Sequence, residues 1–123
     1  MALNRTLRLR KSNDFQRVRQ QGRSIASRLL ILAWVPNELA TVRIGFVVSK
    51  RISKHAVARN YIKRLLSEAI RPMLADLPAG WDIVFSARNQ IVGIGLHTLT
   101  LDIATLLRRA RLLEPTKTSE TSS

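Results

Sequence analysis

Apolar residues recur along the chain in helical and strand-like periods, and the clearest helical stretch begins near residue 56. At about 100° per residue, the apolar positions of this stretch share one side of a helix and polar or basic positions share the other. The pattern predicts a helix with one buried face and one cationic face. The apolar side holds Ala58, Ile62, Leu65, Leu66, Ala69 and Met73, and the opposite side holds Asn60, Lys63, Arg64, Ser67 and Arg71.

Shorter patterns predict two further helices and three strands. One helix is capped by Ser12 and stops at Gly22, and another covers residues 96–113. Residues 29–35, 41–49 and 81–87 are apolar or alternating runs typical of strands, and the short connection between the first two favours an antiparallel hairpin. The order of elements predicts a small α+β sandwich, with helices packed on a mostly antiparallel sheet.

A chain of 123 residues allows one domain with a single core. We predict one domain over residues 1–113, with residues 1–11 as an extended basic arm and residues 114–123 as a disordered tail. Cysteine is absent, which fits a reducing compartment. The longest apolar run, residues 29–35, is far shorter than the roughly 20 residues that span a bilayer, and the N-terminus lacks the apolar segment of a secretory signal. We therefore expect a cytoplasmic protein with no membrane partner.

The charge of the chain is strongly asymmetric. The net charge is +13, with sixteen Lys and Arg against three acids in residues 1–71 and five against five in residues 72–123. An excess confined to one part of the sequence indicates a polyanionic partner on one surface. On charge alone, nucleic acid is the first candidate and an anionic membrane surface is the second.

The basic helix concentrates its cations where helix electrostatics disfavour them. Arg59, Lys63 and Arg64 lie in its N-terminal half, where the helix dipole costs roughly 0.3 to 1 kcal/mol per cation. A bound phosphate backbone would remove this conflict. The alternative is that these cations only keep an exposed helix face in contact with water and bind no partner.

An autonomous enzyme is a weaker hypothesis. The chain has two histidines, His55 in the basic turn and His97 near a helix start, and its eight acids are scattered without paired-carboxylate or metal-ligand spacing. No phosphate-binding loop or serine–histidine arrangement is evident. The sequence favours a binding protein and predicts no catalytic residue, no metal ligand and no small-molecule substrate.

The segment from residue 43 to residue 71 also carries a specific motif. Its fixed residues are Arg43-Ile44-Gly45, Val48-Ser49-Lys50-Arg51, Ala56-Val57, Arg59-Asn60, Ile62-Lys63-Arg64-Leu65, Glu68 and Arg71. This segment resembles the signature of the protein subunit of bacterial ribonuclease P. A weaker resemblance extends over most of the chain, through Asp14-Phe15, Gly22, Trp81-Asp82-Ile83-Val84 and Arg88.

The resemblance implies an α-β-β-β-α-β-α sandwich and a role in removing the 5′ leader from precursor tRNA. In that family the RNA subunit performs the hydrolysis with bound Mg²⁺, so the implied partners are the catalytic RNA and precursor tRNA. The implied contacts to the RNA subunit are Arg51, Lys54, Arg59, Asn60, Lys63 and Arg64. The implied contacts to the leader are Lys11, Phe15, Arg19, Ser49, Lys50 and Arg88.

Three residues depart from the family pattern. Tyr61 stands where a second arginine is common, so a phosphate contact is either lost or replaced by stacking on a ribose or base. Arg19 stands where the family often has an aromatic residue, and Ser67 replaces a frequent arginine. A ribosomal or general RNA-binding protein remains the alternative, with an autonomous nuclease third.

Overall fold

A computed structural model describes Arg8, Leu9 and residues 11–113. The strands and helices follow the order α1-β1-β2-β3-α2-β4-α3, which confirms the α-β-β-β-α-β-α order. Short 3₁₀ helices occupy Arg71–Asp76 and Asn89–Ile91. The helices are α1 (Ser12–Gln21), α2 (Ala56–Ile70) and α3 (Leu96–Arg109), and the strands are β1 (Arg23–Ala26), β2 (Leu30–Pro36), β3 (Arg43–Val47) and β4 (Trp81–Ala87).

The four strands form one sheet in the order β1-β2-β4-β3. β1 pairs with β2 and β2 pairs with β4 in antiparallel register, whereas β3 and β4 are parallel. The predicted hairpin between residues 29–35 and 41–49 is therefore wrong. The residues from Asp82 to Phe85 of β4 are all buried, and the continuous apolar run from Ile83 to Phe85 suits a strand in the middle of a sheet rather than at its edge.

Each face of the sheet is covered by helices, which confirms the sandwich. On one face, α2 and α3 pack on alternate strand residues such as Leu32, Ile44 and Phe85. On the other face, Val18 of α1 packs with Val84 and with the other strand residues whose side chains point to this side of the sheet. The predicted domain limits stay a prediction, and most of the basic arm and the whole of the tail lie outside the described residues.

The second helix buries nearly the predicted face. Ile62, Leu66 and Ala69 are buried, and Asn60, Lys63 and Arg64 are exposed. Ser67 is an exception, because it is only 8% exposed and its hydroxyl donates to the Lys63 carbonyl at 3.1 Å. The helix ends at Ile70, where Pro72 belongs to the following 3₁₀ helix.

A buried carboxylate fastens α1 to the sheet. Asp82 on β4 is fully buried and accepts hydrogen bonds from Arg43 Nε at 2.9 Å and Arg43 Nη2 at 2.7 Å. Asn37 Nδ2 donates to the same carboxylate at 2.8 Å, and Arg17 of α1 forms an ion pair with it. Two of the chain's cations are thus engaged in holding the fold.

Candidate nucleic-acid interface

The start of α2 presents backbone N–H groups without a capping side chain. His55 occupies the N-cap position and makes no capping hydrogen bond through its side chain, and the first turn contains no acid. The positive end of the helix dipole is therefore uncompensated by the described residues there. Because Lys63 and Arg64 add charge about two turns later, the N-terminal half of the helix suits an anion.

The four predicted contacts on α2 are not equivalent. Asn60, Lys63 and Arg64 are exposed and line one cavity, whereas Arg59 is half-buried. Nη1 of Arg59 donates to the Ser53 carbonyl at 2.9 Å, so this side chain also holds the turn before the helix. Of the two predicted contacts within that turn, Arg51 and Lys54 are both exposed.

Phe15 lies against the backbone of β3 because residue 45 has no side chain. A Cβ atom on Gly45 would be 2.4 Å from Cε1 of Phe15, far inside contact distance. The ring also packs against the small apolar cluster around Val18 and beside Val47, and it is half-buried. Arg19 follows Phe15 by four residues on the same side of α1 and is exposed.

Three further predicted leader contacts follow the carboxyl ends of two adjacent strands. β3 and β4 are parallel and pair Val47 with Ser86, so the residues that follow the two strands lie at the same end of the sheet. Ser49, Lys50 and Arg88 are exposed there. Nη1 of Arg88 donates to the Ser27 carbonyl at 2.8 Å, which ties this side chain to the turn between β1 and β2. Lys11 is exposed at the N-cap of α1, so the prediction that Ser12 caps this helix is wrong.

One cavity joins residues that the sequence assigned to two separate surfaces. It has a volume of about 430 Å³ and lies beside β3, between Arg8 and Leu9, Phe15 and α2. Leu9 donates its N–H to the Ile44 carbonyl at 2.9 Å, which holds Arg8 and Leu9 beside this edge strand. The lining residues are Arg8, Leu9, Phe15, Ile44, Gly45, Phe46, Asn60, Lys63, Arg64 and Ser67.

Sequence reasoning missed Arg8, Phe46 and Ser67 as lining residues. The place of Arg8 depends on a bridge between the arm and Ile44, a long-range pairing that no local pattern reveals. For Ser67 a signal was available, because the helical period places it one turn after Lys63 on the cavity side. Phe46 also stacks on Phe85, with ring centroids 6.0 Å apart.

The cations of this surface differ in whether the fold already neutralises them. Arg17 and Arg43 pair with Asp82, and Arg43 also lies 3.7 Å from Asp14. Within Arg8, Leu9 and residues 11–113, Lys50, Lys63 and Arg64 form no ion pair. These side chains keep their full charge for a phosphate partner.

The described residues contain neither a metal-ligand cluster nor a membrane-spanning helix. No group of three or more His, Asp or Glu side chains in this part of the chain is placed to hold a metal ion. None of the described helices combines the length and the hydropathy that crossing a bilayer requires.

Comparison with known proteins agrees with the geometry. The family model described as ribonuclease P matches residues 3–111. The chain is 44% identical over 122 residues to the ribonuclease P protein component of Chloroflexus aurantiacus, covering 98% of this chain and 89% of that protein. It is 40% identical over 107 residues to that of Caldanaerobacter subterraneus, covering 87% of this chain and 91% of the relative.

Solved structures show the same fold. The ribonuclease P protein of Staphylococcus aureus superposes with a TM-score of 0.79 at 28% identity, covering 88% of this chain and 98% of that one. The Thermotoga maritima protein gives a TM-score of 0.74 at 27% identity, covering 83% and 96%. The chain belongs to the ribonuclease P protein family, whose known role is processing of the tRNA 5′ leader.

Proposed function

We propose that this chain is the non-catalytic protein subunit of ribonuclease P, which binds the catalytic RNA with one side of its cationic surface and the precursor tRNA leader with the other. The RNA contacts would be Asn60, Lys63 and Arg64 on α2, with Arg51, Lys54 and Arg59 beside them. The leader contacts would be Lys11, Phe15, Arg19, Ser49, Lys50 and Arg88. The observation that carries this proposal is the single cavity that Phe15 shares with Asn60, Lys63 and Arg64.

The chemistry of the described side chains supports a binding role. Phosphodiester hydrolysis needs a positioned general acid and base or metal ions. His55 lies at the N-cap of α2 and His97 in the first turn of α3, and both are exposed. In the proposal, the RNA subunit holds Mg²⁺ and performs the hydrolysis, and the protein supplies substrate affinity.

The protein's charge explains how it would assist. Two RNAs that approach one another repel, and a net charge of +13 placed between them offsets part of that repulsion. Mg²⁺ screens the same phosphates, so the protein's contribution should be greatest when Mg²⁺ is scarce. We place this activity in the cytoplasm, which the absence of cysteine fits.

A leader-cleavage assay with purified components tests the proposal. The protein is added to a purified ribonuclease P RNA and precursor tRNA at low and at high Mg²⁺. Stimulated cleavage, larger at low Mg²⁺, is the expected result. Binding without stimulation would indicate a general RNA-binding protein instead, and cleavage by the protein without the RNA would indicate an autonomous nuclease.

A further inference from the structure

Two apolar side chains are exposed on the otherwise cationic start of α2. Val57 is 81% exposed and Tyr61 is 57% exposed, and their spacing of four residues puts them on one side of the helix. The apolar residues that attach α2 to the core, such as Ile62 and Leu66, lie on the other side and are buried. Within the described part of the chain, the Tyr61 hydroxyl makes no hydrogen bond and its ring makes no aromatic contact.

The neighbours of this pair indicate what kind of partner covers it. Arg64 follows Tyr61 by three residues, is exposed and lines the cavity, and Lys54 precedes Val57 by three residues. The first turn of α2 contains no acid. Glu68, two turns further along, is paired with Arg71 at 2.8 Å. The charge around this face therefore favours a partner that is both apolar and anionic.

An unpaired nucleotide combines these two properties. Its base is flat and apolar on both faces, and its phosphate is negatively charged. Isolated exposed apolar residues are ordinary on protein surfaces, but here two adjoin on one helix face between cations. A tyrosine ring offers a base a large contact area and loses little conformational entropy on binding.

We propose that Tyr61 stacks on an unpaired base of the catalytic RNA, with Val57 extending the platform and Arg64 contacting the adjoining phosphate. This inference rests on the proposed function, because it requires that α2 binds the RNA subunit. It adds a contact that does not depend on charge. Binding by this helix would then retain part of its strength at high salt, where phosphate contacts weaken.

Binding of purified ribonuclease P RNA, measured over a series of KCl concentrations, tests the inference. The variants are Tyr61→Ala, Tyr61→Phe and Tyr61→Lys, with Leu101→Ala as the matched control. Leu101 is 56% exposed, nearly as exposed as Tyr61, but it lies on α3. Circular dichroism and thermal melting are used to check that each variant is folded, which is the expected result for changes at an exposed position.

Loss of one base stack should weaken binding roughly 5- to 150-fold in Tyr61→Ala, by the same factor at every salt concentration. Tyr61→Phe should bind like the wild type because the ring is kept, and Leu101→Ala should also be unchanged. Tyr61→Lys should show a steeper salt dependence and the largest loss at high salt.

Three results would overturn the inference while leaving the proposed function intact. They are wild-type affinity in Tyr61→Ala, equal losses in Tyr61→Ala and Leu101→Ala, or a loss in Tyr61→Phe as large as that in Tyr61→Ala. Failure of the wild-type protein to bind the RNA at all would instead refute the proposed function, and the inference with it.

Discussion

Replacing Asp82 by Asn should destabilise the protein strongly, because it removes the charge from a fully buried hydrogen-bonded carboxylate. The substitution leaves Arg43 and Arg17, whose side chains are 25% and 30% exposed, without their buried counter-ion. Breaking a buried pair by changing one partner costs about 3 to 5 kcal/mol. Since both arginines keep some contact with water, we expect the lower end, about 3 kcal/mol, or a fall in Tm of roughly 10 °C.

The same carboxylate predicts how this loss changes with pH. Burial by itself would raise the pKa of Asp82, but hydrogen bonds from Arg43 and Asn37 and the charges of Arg43 and Arg17 outweigh it and lower the pKa. The folded protein therefore binds this proton less readily than the unfolded chain, whose Asp pKa is about 3.9. The stabilisation is complete above that pH and is lost as the pH falls through the folded-state value.

Urea denaturation of wild type and Asp82→Asn between pH 7 and pH 3 measures both effects. The difference in free energy of unfolding should stay constant from pH 7 to about pH 5 and narrow below about pH 4. Asp76→Asn is the control, because Asp76 is exposed, and it should change stability by less than about 0.5 kcal/mol. A difference below about 1 kcal/mol at pH 7, or one that does not narrow in acid, would refute the reasoning.

Three predictions concern function. Arg64→Ala should make the salt dependence of RNA binding shallower by about one unit of slope without loss of stability. Arg59→Ala should also lower the free energy of unfolding by about 1 kcal/mol, because its hydrogen bond to the turn is lost. Equal stability of the two variants would contradict this expectation. Phe15→Ala should weaken binding of precursor tRNA roughly 5- to 150-fold and binding of mature tRNA far less. Equal losses of affinity for the two RNAs in a binding titration would assign the ring to the core. Replacing His55 and His97 by Gln should leave single-turnover cleavage at saturating Mg²⁺ nearly unchanged, and a loss of about a hundredfold or more would show protein acid–base catalysis.

Local patterns predicted most elements of the fold but not their pairing. The helices and the strands β2, β3 and β4 follow from apolar periodicity, which depends only on near neighbours. β1 was not predicted from its own residues, because Arg23–Ala26 has four residues and none is buried. The order β1-β2-β4-β3 depends on contacts between residues far apart in sequence, such as Leu32 with Phe85.

The residue types of the candidate site were predictable from the sequence. Which of these residues also hold the fold together was not. Arg59, Asn60, Lys63 and Arg64 follow one another closely on one helix, yet only the structure shows that Arg59 also anchors the preceding turn. Arg88 likewise reaches the Ser27 carbonyl, 61 positions away in sequence. Such partners are set by tertiary contacts, so a one-dimensional pattern cannot distinguish a structural cation from a free one.

The division of charge along the sequence therefore differs from the division of charge in space. The first 71 residues carry the whole excess of +13, but Asp82 from the neutral part of the chain neutralises cations of the first part at the sheet. Among the residues that the structure describes, the cations that form no ion pair include Lys63 and Arg64 on α2, Arg51 and Lys54 in the turn before it, and Lys50 and Arg88 after β3 and β4. Under the proposed function, net charge would attract RNA in general. The cavity lined by Phe15 and Asn60, together with the exposed ring of Tyr61, would provide the contacts that select single-stranded segments.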